Sequence, residues 1–218
     1  LEKIIVFGAG GHAKAVIDVI EKAGLYEIIG ILDSYKAPGS MIYGYEVLGD
    51  EQVVFNLGSQ IYGGIIAIGD NWRRSQLVDH MTSLHPEFNF ISAVHPSATL
   101  AKGTVIGQGC VIMAGAIIGS DTNIGDHCIL YSQASVDHDS TLGNFVTFAP
   151  HTATGGNVHI GDYSVISIGA NIIHSTVIGE HTVIGAGSTV LTDISGYCVA
   201  YGTPARIVRA RQLGERYL

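Results

Sequence analysis

A chain of 218 residues with a mean hydropathy of +0.34 carries enough apolar material for one large domain or two small ones. Only 14% of residues are charged while 29 are glycine, which excludes a molecule made mainly of long solvated helices and favours tight turns around a β-rich core. The formal net charge of −8 and the scattered lysines and arginines argue against a nucleic-acid partner. No apolar run approaches the roughly 20 residues of a membrane helix, so no membrane insertion is expected.

The chain runs from Leu1-Glu2-Lys3 straight into a strand-like segment, Lys3–Phe7 (KIIVF), so no signal peptide is expected. Gly8-Ala9-Gly10-Gly11-His12-Ala13 follows, then an apolar-periodic helix over about Ala13 to Lys22 and a second strand, Glu27–Leu32, ending at Asp33. This βαβ pattern has a first turn of the form G-x-G-x-x-[GA], in which glycines let the backbone approach a phosphate and the helix offers its N-terminal N–H groups. One more clear strand, Gly64–Ile68, leads into Gly69-Asp70-Asn71 and a helix over Trp72–Leu84. So short a segment makes only half of a doubled dinucleotide fold. The expectation for 1–90 is therefore a Rossmann-like unit holding one nucleotide, the alternative being a purely structural glycine turn. His12 either touches phosphate or ribose or caps the helix.

From Thr99 the sequence divides into sixes without a break, from Thr99–Thr104 (TLAKGT) to Thr189–Ile194 (TVLTDI). The second position is apolar in fifteen of the sixteen hexads, Thr154 being the exception, and the sixth is small or β-branched throughout. A period of six is neither helical nor a simple alternation. It fits a short strand and a turn, with three hexads closing one triangular coil and the second and sixth positions pointing inward. The glycines that often follow the aliphatic residue, such as Gly107, Gly119 and Gly179, are expected where the backbone turns sharply. The predicted fold for 91–218 is a left-handed parallel β-helix, capped at its C-terminal end by a short helix or fold-back after Gly202 and covered at its N-terminal end by the first domain. Cys110, Cys128 and Cys198 are odd in number and lack metal-like spacing; the first two stack one coil apart, and the chain reads as reduced, cytoplasmic and without a metal.

Ten histidines compete for attention. His127, His151 and His181 occupy fifth hexad positions and His159 a first; only His138 and His174 share the fourth. Only His138 lies between carboxylates, Asp137 and Asp139, which would orient an imidazole and stabilise its protonated form, as a base near the working pH requires. A surface turn histidine among polar neighbours is the plainer alternative. Metal-dependent β-helix carbonic anhydrases pair histidines five apart, a spacing absent from these hexads.

A small βαβ domain opening with Gly8-Ala9-Gly10-Gly11-His12, hexads carrying Asp137-His138-Asp139, and an ending of Gly202-Thr203-Pro204-Ala205-Arg206 together resemble the sialic acid O-acetyltransferase family, which includes the PglD-like nucleotide-sugar N-acetyltransferases. The resemblance spans essentially the whole chain. It implies a homotrimer that moves an acetyl group from acetyl-CoA to the amine of a nucleotide-linked amino sugar of the UDP-4-amino-sugar or GDP-perosamine type. Acetylation of a sugar hydroxyl is the nearest alternative, and a non-catalytic nucleotide-binding scaffold a more distant one. By position, Gly10, Gly11, His12, Asp33, Ser34, Lys36, Gly69, Asp70 and Asn71 would hold the nucleotide sugar. His138 would be the general base supported by Asp139, and Gly156, Ile168 and Ala186 would line the acetyl-CoA site between subunits. The chain departs from some relatives at Tyr131, where they have Asn, at Thr147, where they have His, and at His151, where Gly is usual.

Overall fold

The protein is described by a computed structural model covering residues 1–217. The first part contains β1 (Glu2–Phe7), α1 (Gly11–Ala23), β2 (Tyr26–Leu32), β3 (Met41–Ile42), β4 (Tyr45–Gly49), α2 (Val53–Leu57), β5 (Gly63–Ile66) and α3 (Asn71–Leu84). The sheet order is β3-β4-β2-β1-β5, parallel except for the β3–β4 hairpin. Helix α1 buries Ala13, Val16, Ile17, Val19 and Ile20, one stripe of a 3.6-residue period, and ends on Gly24 in the left-handed conformation. It begins at Gly11, two residues before the sequence-based expectation. Strands β3 and β4 have no counterpart in that expectation. They form the sheet edge, and within them only Val47 and Gly49 are buried, so their hydrophobic signal is weak.

From β6 (Ala93–Val94) onward the chain coils. Each rung pairs in parallel with the rung three hexads later, as in Ile117↔Ser135, Asn123↔Thr141 and Ile129↔Thr147. The three stacks form three flat faces: the first from Thr99–Leu100 to Thr189–Val190, the second from Val105–Ile106 to Val177–Ile178, the third beginning at β6. The coil thus starts one hexad before Thr99, because Ala93–Ala98 already has the apolar second and small sixth positions. Second- and sixth-position side chains such as Cys110, Ile112, Ala116, Ile118, Cys128 and Leu130 fill the interior.

The glycine expectation needs correction. The left-handed residue sits at the fifth position, where Asp121, His127, Asp139, Phe145 and Tyr163 have φ between 55° and 58°. The third-position glycines answer a different demand. A Cβ at Gly119 would lie 2.5 Å from the backbone nitrogen of His138 in the next coil, and most of the others face similar intrusion. They permit close stacking rather than a sharp turn.

The two ends answer the expectation differently. Cys198–Gly202 extends the third face beside Val183–Ile184 in a last coil two residues short of three hexads, as the pairing Val183↔Val199 shows. Ala205–Ala210 then returns antiparallel to it. The C-terminal cap is therefore the expected fold-back after Gly202, built as a strand hairpin rather than a short helix. The first domain does not cover the opposite end, where Leu100 is 42% exposed. It lies instead against the third face, where Val111, Met113 and Ile129 share a core with Ala13, Val16 and Ile17 of α1. It also grips the edge between the second and third faces. There the fifth positions His127, Phe145, Tyr163 and His181 stack with ring centroids 4.5–5.1 Å apart, and Trp72 of α3 packs on Tyr163 and His181.

Candidate active site

Strand β1 lies between β2 and β5, whose connections leave on opposite sides, so the crevice beyond the carboxyl ends of β1 and β5 is where a doubly wound sheet accepts a ligand. The turn after β1 supplies Gly10, the N-cap of α1, and Gly11, both exposed, and His12. The loop after β5 supplies Gly69 and Asp70; Asp70 caps α3 by accepting from the Arg73 N–H at 2.9 Å. Asp33, at the end of β2, accepts from the Ala9 N–H at 2.7 Å through one oxygen and from Tyr35 and Lys36 N–H groups through the other. It thereby ties the phosphate-side turn to its own loop. Ser34 donates to Glu51, and Lys36 is exposed beside it. Asn71 is not brought to the crevice: it is 1% exposed and donates to the Tyr163 carbonyl at the domain interface.

The β-helix closes this crevice from below. The hydroxyl of Tyr131, on the third face, lies 3.1 Å from Nδ1 of His12 and close to Gly69, where an added Cβ would meet it at 3.4 Å. Burial, aided by the Arg74 charge, pushes His12 down to about 4, and burial pushes Tyr131 up to about 12. The pair is neutral at any working pH. Arg74, fully buried on α3, fixes the arrangement by donating to the carbonyls of Ile68, Gly69, His127 and Phe145 and to the Thr147 hydroxyl. Tyr217 donates to the same Gly69 carbonyl from the C-terminal side.

The edge between the first and second faces holds the second cluster. Asp139, at a fifth position with φ 56°, turns its carboxylate alongside His138, with Oδ2 2.8 Å from Nδ1. The backbone N–H of His138 donates to Asp137 at 2.8 Å. The bond to Asp139, followed by the charge of Asp137, raises the His138 pKa above its ordinary value. One coil further on, the ring lies directly over Gly156, where a Cβ would be 2.5 Å from His138 Nε2, so the missing side chain is what admits the imidazole in this position. Thr154, the single polar second position, is buried and accepts from the Asp137 N–H at 3.2 Å. The break in the repeat thus falls directly behind the candidate base. Nε2 makes no hydrogen bond among the described residues, which suits a base that must receive a proton from outside.

Ile168 and Ala186 lie at equivalent positions on the third edge, between the third and first faces, and Ile168 is exposed there. Within one chain, the crevice, His138 with Gly156, and Ile168 with Ala186 lie on separate parts of the prism.

Residues 3–81 match the PglD N-terminal domain, and residues 103–138 and 157–192 match the bacterial transferase hexapeptide family (six repeats). A histidine-to-alanine variant of GDP-perosamine N-acetyltransferase from Caulobacter crescentus, solved with CoA and GDP-perosamine, is 33% identical and superposes with a TM-score of 0.90 over 96% of this chain and 98% of that one. The chain belongs to the PglD-like hexapeptide-repeat acetyltransferases. Another of these enzymes, the acetyltransferase domain of PglB from Neisseria gonorrhoeae FA1090 in complex with acetyl coenzyme A, is 31% identical with a TM-score of 0.87, over 95% of this chain and 99% of that one. UDP-N-acetylbacillosamine N-acetyltransferase of Bacillus subtilis (strain 168) is 30% identical over 131 residues, and that match spans about half (52%) of each chain.

For a PglD-like chain, sequence reasoning missed Arg74 and the Tyr131–His12 contact, because the partners of that contact are 119 positions apart. The aromatic stack was available as His127, Phe145, Tyr163 and His181, each three hexads after the last, a regularity visible once the coil length is known.

Proposed function

We propose that the protein transfers the acetyl group of acetyl-CoA to the amine of a nucleotide-linked amino sugar, of the UDP-4-amino-sugar or GDP-perosamine type. The observation that carries this reading is the His138–Asp139 pair, its ring seated over Gly156 and its Nε2 free of any hydrogen bond among the described residues. The amine nitrogen attacks the thioester carbonyl, forming the C–N bond. His138 Nε2 takes the amine proton while Asp139 holds Nδ1 and stabilises the imidazolium. The backbone N–H at Gly156 steadies the oxyanion until the C–S bond breaks, and the proton on His138 passes to the departing thiolate. No covalent enzyme intermediate is needed.

The nucleotide end is held by Gly10, Gly11 and His12 at the head of α1 and by the loops at Asp33–Lys36 and Gly69–Asp70. Because this crevice and His138 occupy different edges of one chain, the reaction needs a second copy to bring them together. A homotrimer, with acetyl-CoA between neighbouring prisms along Gly156 of one and Ile168 and Ala186 of the next, meets that need. No helix among the described residues is long and apolar enough to cross a membrane. Three free thiols and substrates of this kind suit the cytoplasm.

Purified protein is mixed with acetyl-CoA and a panel of UDP- and GDP-linked 4-amino sugars, with thiol release followed for wild type and His138→Ala. Turnover on one sugar, lost in the variant while both substrates still bind, supports the reading. Turnover confined to sugar hydroxyl acceptors refutes N-acetylation, and undiminished activity in the variant refutes the base.

A further inference from the structure

His12 and Tyr131 join the nucleotide domain to the β-helix through a polar side-chain contact at the floor of the crevice. The contact leaves a question of hydrogen placement. The imidazole and the phenol are both neutral, so one N–H and one O–H serve three sites: Nδ1, the phenol oxygen and Nε2. Nε2 is buried with no partner among the described residues. If Nδ1 donated to the phenol, the buried Nε2 would be left with a bare lone pair. If the phenol donates, Nε2 carries the hydrogen. The diphosphate oxygens of a nucleotide-linked sugar only accept, so the second arrangement is the one that offers them a donor.

We propose that Tyr131 is a positioning residue: its O–H donates to Nδ1 of His12, holding the imidazole as the Nε2–H tautomer, a neutral donor to an acceptor oxygen of the nucleotide-linked substrate. The identity of that ligand rests on the function proposed above. The device is comparable to a metal-bound or catalytic histidine whose second nitrogen is fixed by its neighbour. Here the partner is a phenol supplied by the β-helix, so docking of the two domains presets the hydrogen-bond polarity of the nucleotide site. The acceptor is an oxygen of the diphosphate or of the sugar, and the two are separable by experiment.

Histidine-labelled protein is examined by 15N NMR as wild type and Tyr131→Phe, with dissociation constants for UDP and GDP and steady-state kinetics for the nucleotide amino sugar. Wild-type His12 should be the Nε2–H tautomer, and Tyr131→Phe should convert it to a mixture. Loss of one neutral hydrogen bond should weaken substrate binding about fivefold, through KM for the nucleotide sugar, with KM for acetyl-CoA unchanged. In a His12→Ala background, Tyr131→Phe should add less than about twofold, since the two residues act as one unit. Weaker binding of the bare nucleoside diphosphates assigns the oxygen to phosphate; weaker binding of the amino sugar nucleotide alone assigns it to the sugar. An Nδ1–H tautomer in the wild type, full additivity with His12→Ala, or unchanged binding of every ligand overturns the proposal. Absence of turnover with diphosphate binding still weakened by Tyr131→Phe refutes the acetyltransfer reading and leaves this one standing.

Discussion

Replacing Gly156 by alanine tests the seat of the His138 ring directly. The added Cβ would lie 2.5 Å from His138 Nε2 and 2.6 Å from Cε1. Ordinary carbon contacts begin at about 3.5 Å, so the ring must move by about 1 Å. The His138 side chain is 58% exposed, so it can swing outward without straining the rung; what breaks is the 2.8 Å bond to Asp139. Misplacing a catalytic group by about 1 Å costs on the order of 100-fold, equivalent to about 2.7 kcal/mol of transition-state stabilisation. Thiol release by Gly156→Ala should show that fall in kcat, with both KM values within about threefold. Gly156 is not one of the left-handed glycines and no core atom is lost, so the melting temperature should move by less than ~2 °C. A variant with kcat within about threefold of wild type would refute the geometry assigned to the base.

Deprotonated His138 is the active form, so kcat/KM should rise with pH through a pKa above the ordinary histidine value. Asp139→Asn should lower that inflection toward about 6.5, measured by pH profiles of the two proteins. Buried His127 is held down to about 4, chiefly by desolvation, so the folded state binds fewer protons than the unfolded state between about 6.5 and 4. Its contribution is intact above that window and lost as the pH falls through it, by roughly 3 kcal/mol at the acid end. His127→Phe keeps the ring in the stack beside Phe145 and Phe90 and should flatten the acid loss of stability in urea titrations at pH 7 and pH 4.5. Arg74→Lys cannot reach the set of carbonyls that the guanidinium serves and should lose ~2–3 kcal/mol in the same titrations.

Much of the coil was legible because its period is enforced by packing: an inward aliphatic and an inward small residue recur at fixed spacing whatever faces solvent. The exception at Thr154 was legible too, although its meaning needed the bond from Asp137. The candidate base stood out because its local chemistry, two flanking carboxylates, is written in adjacent residues. Less could be read where the cause is a meeting of distant parts. Nothing local to Tyr131 announces His12, and Arg74 looks like a helix-surface cation until five oxygen acceptors from three segments surround it. The third-position glycines are visible as a pattern but suggest the wrong cause, because a sequence shows which residue is small and not which neighbour crowds it. The hairpin β3–β4 escapes because an edge strand need not be hydrophobic.

The shared register of the three faces makes the chain a ruler. One residue inserted within a rung would turn every later inward side chain outward and shift the aromatic stack off the edge that Trp72 grips. Length can therefore change without disruption only by whole coils, or by loops thrown out at an unoccupied edge. From Thr99 to Ile194 this chain shows no such loop. Only after His181 has joined the stack, with Tyr197 laid over it, does the count drop: Val165↔Val183 spans a full coil, Val183↔Val199 falls two residues short, and the repeat closes into its hairpin.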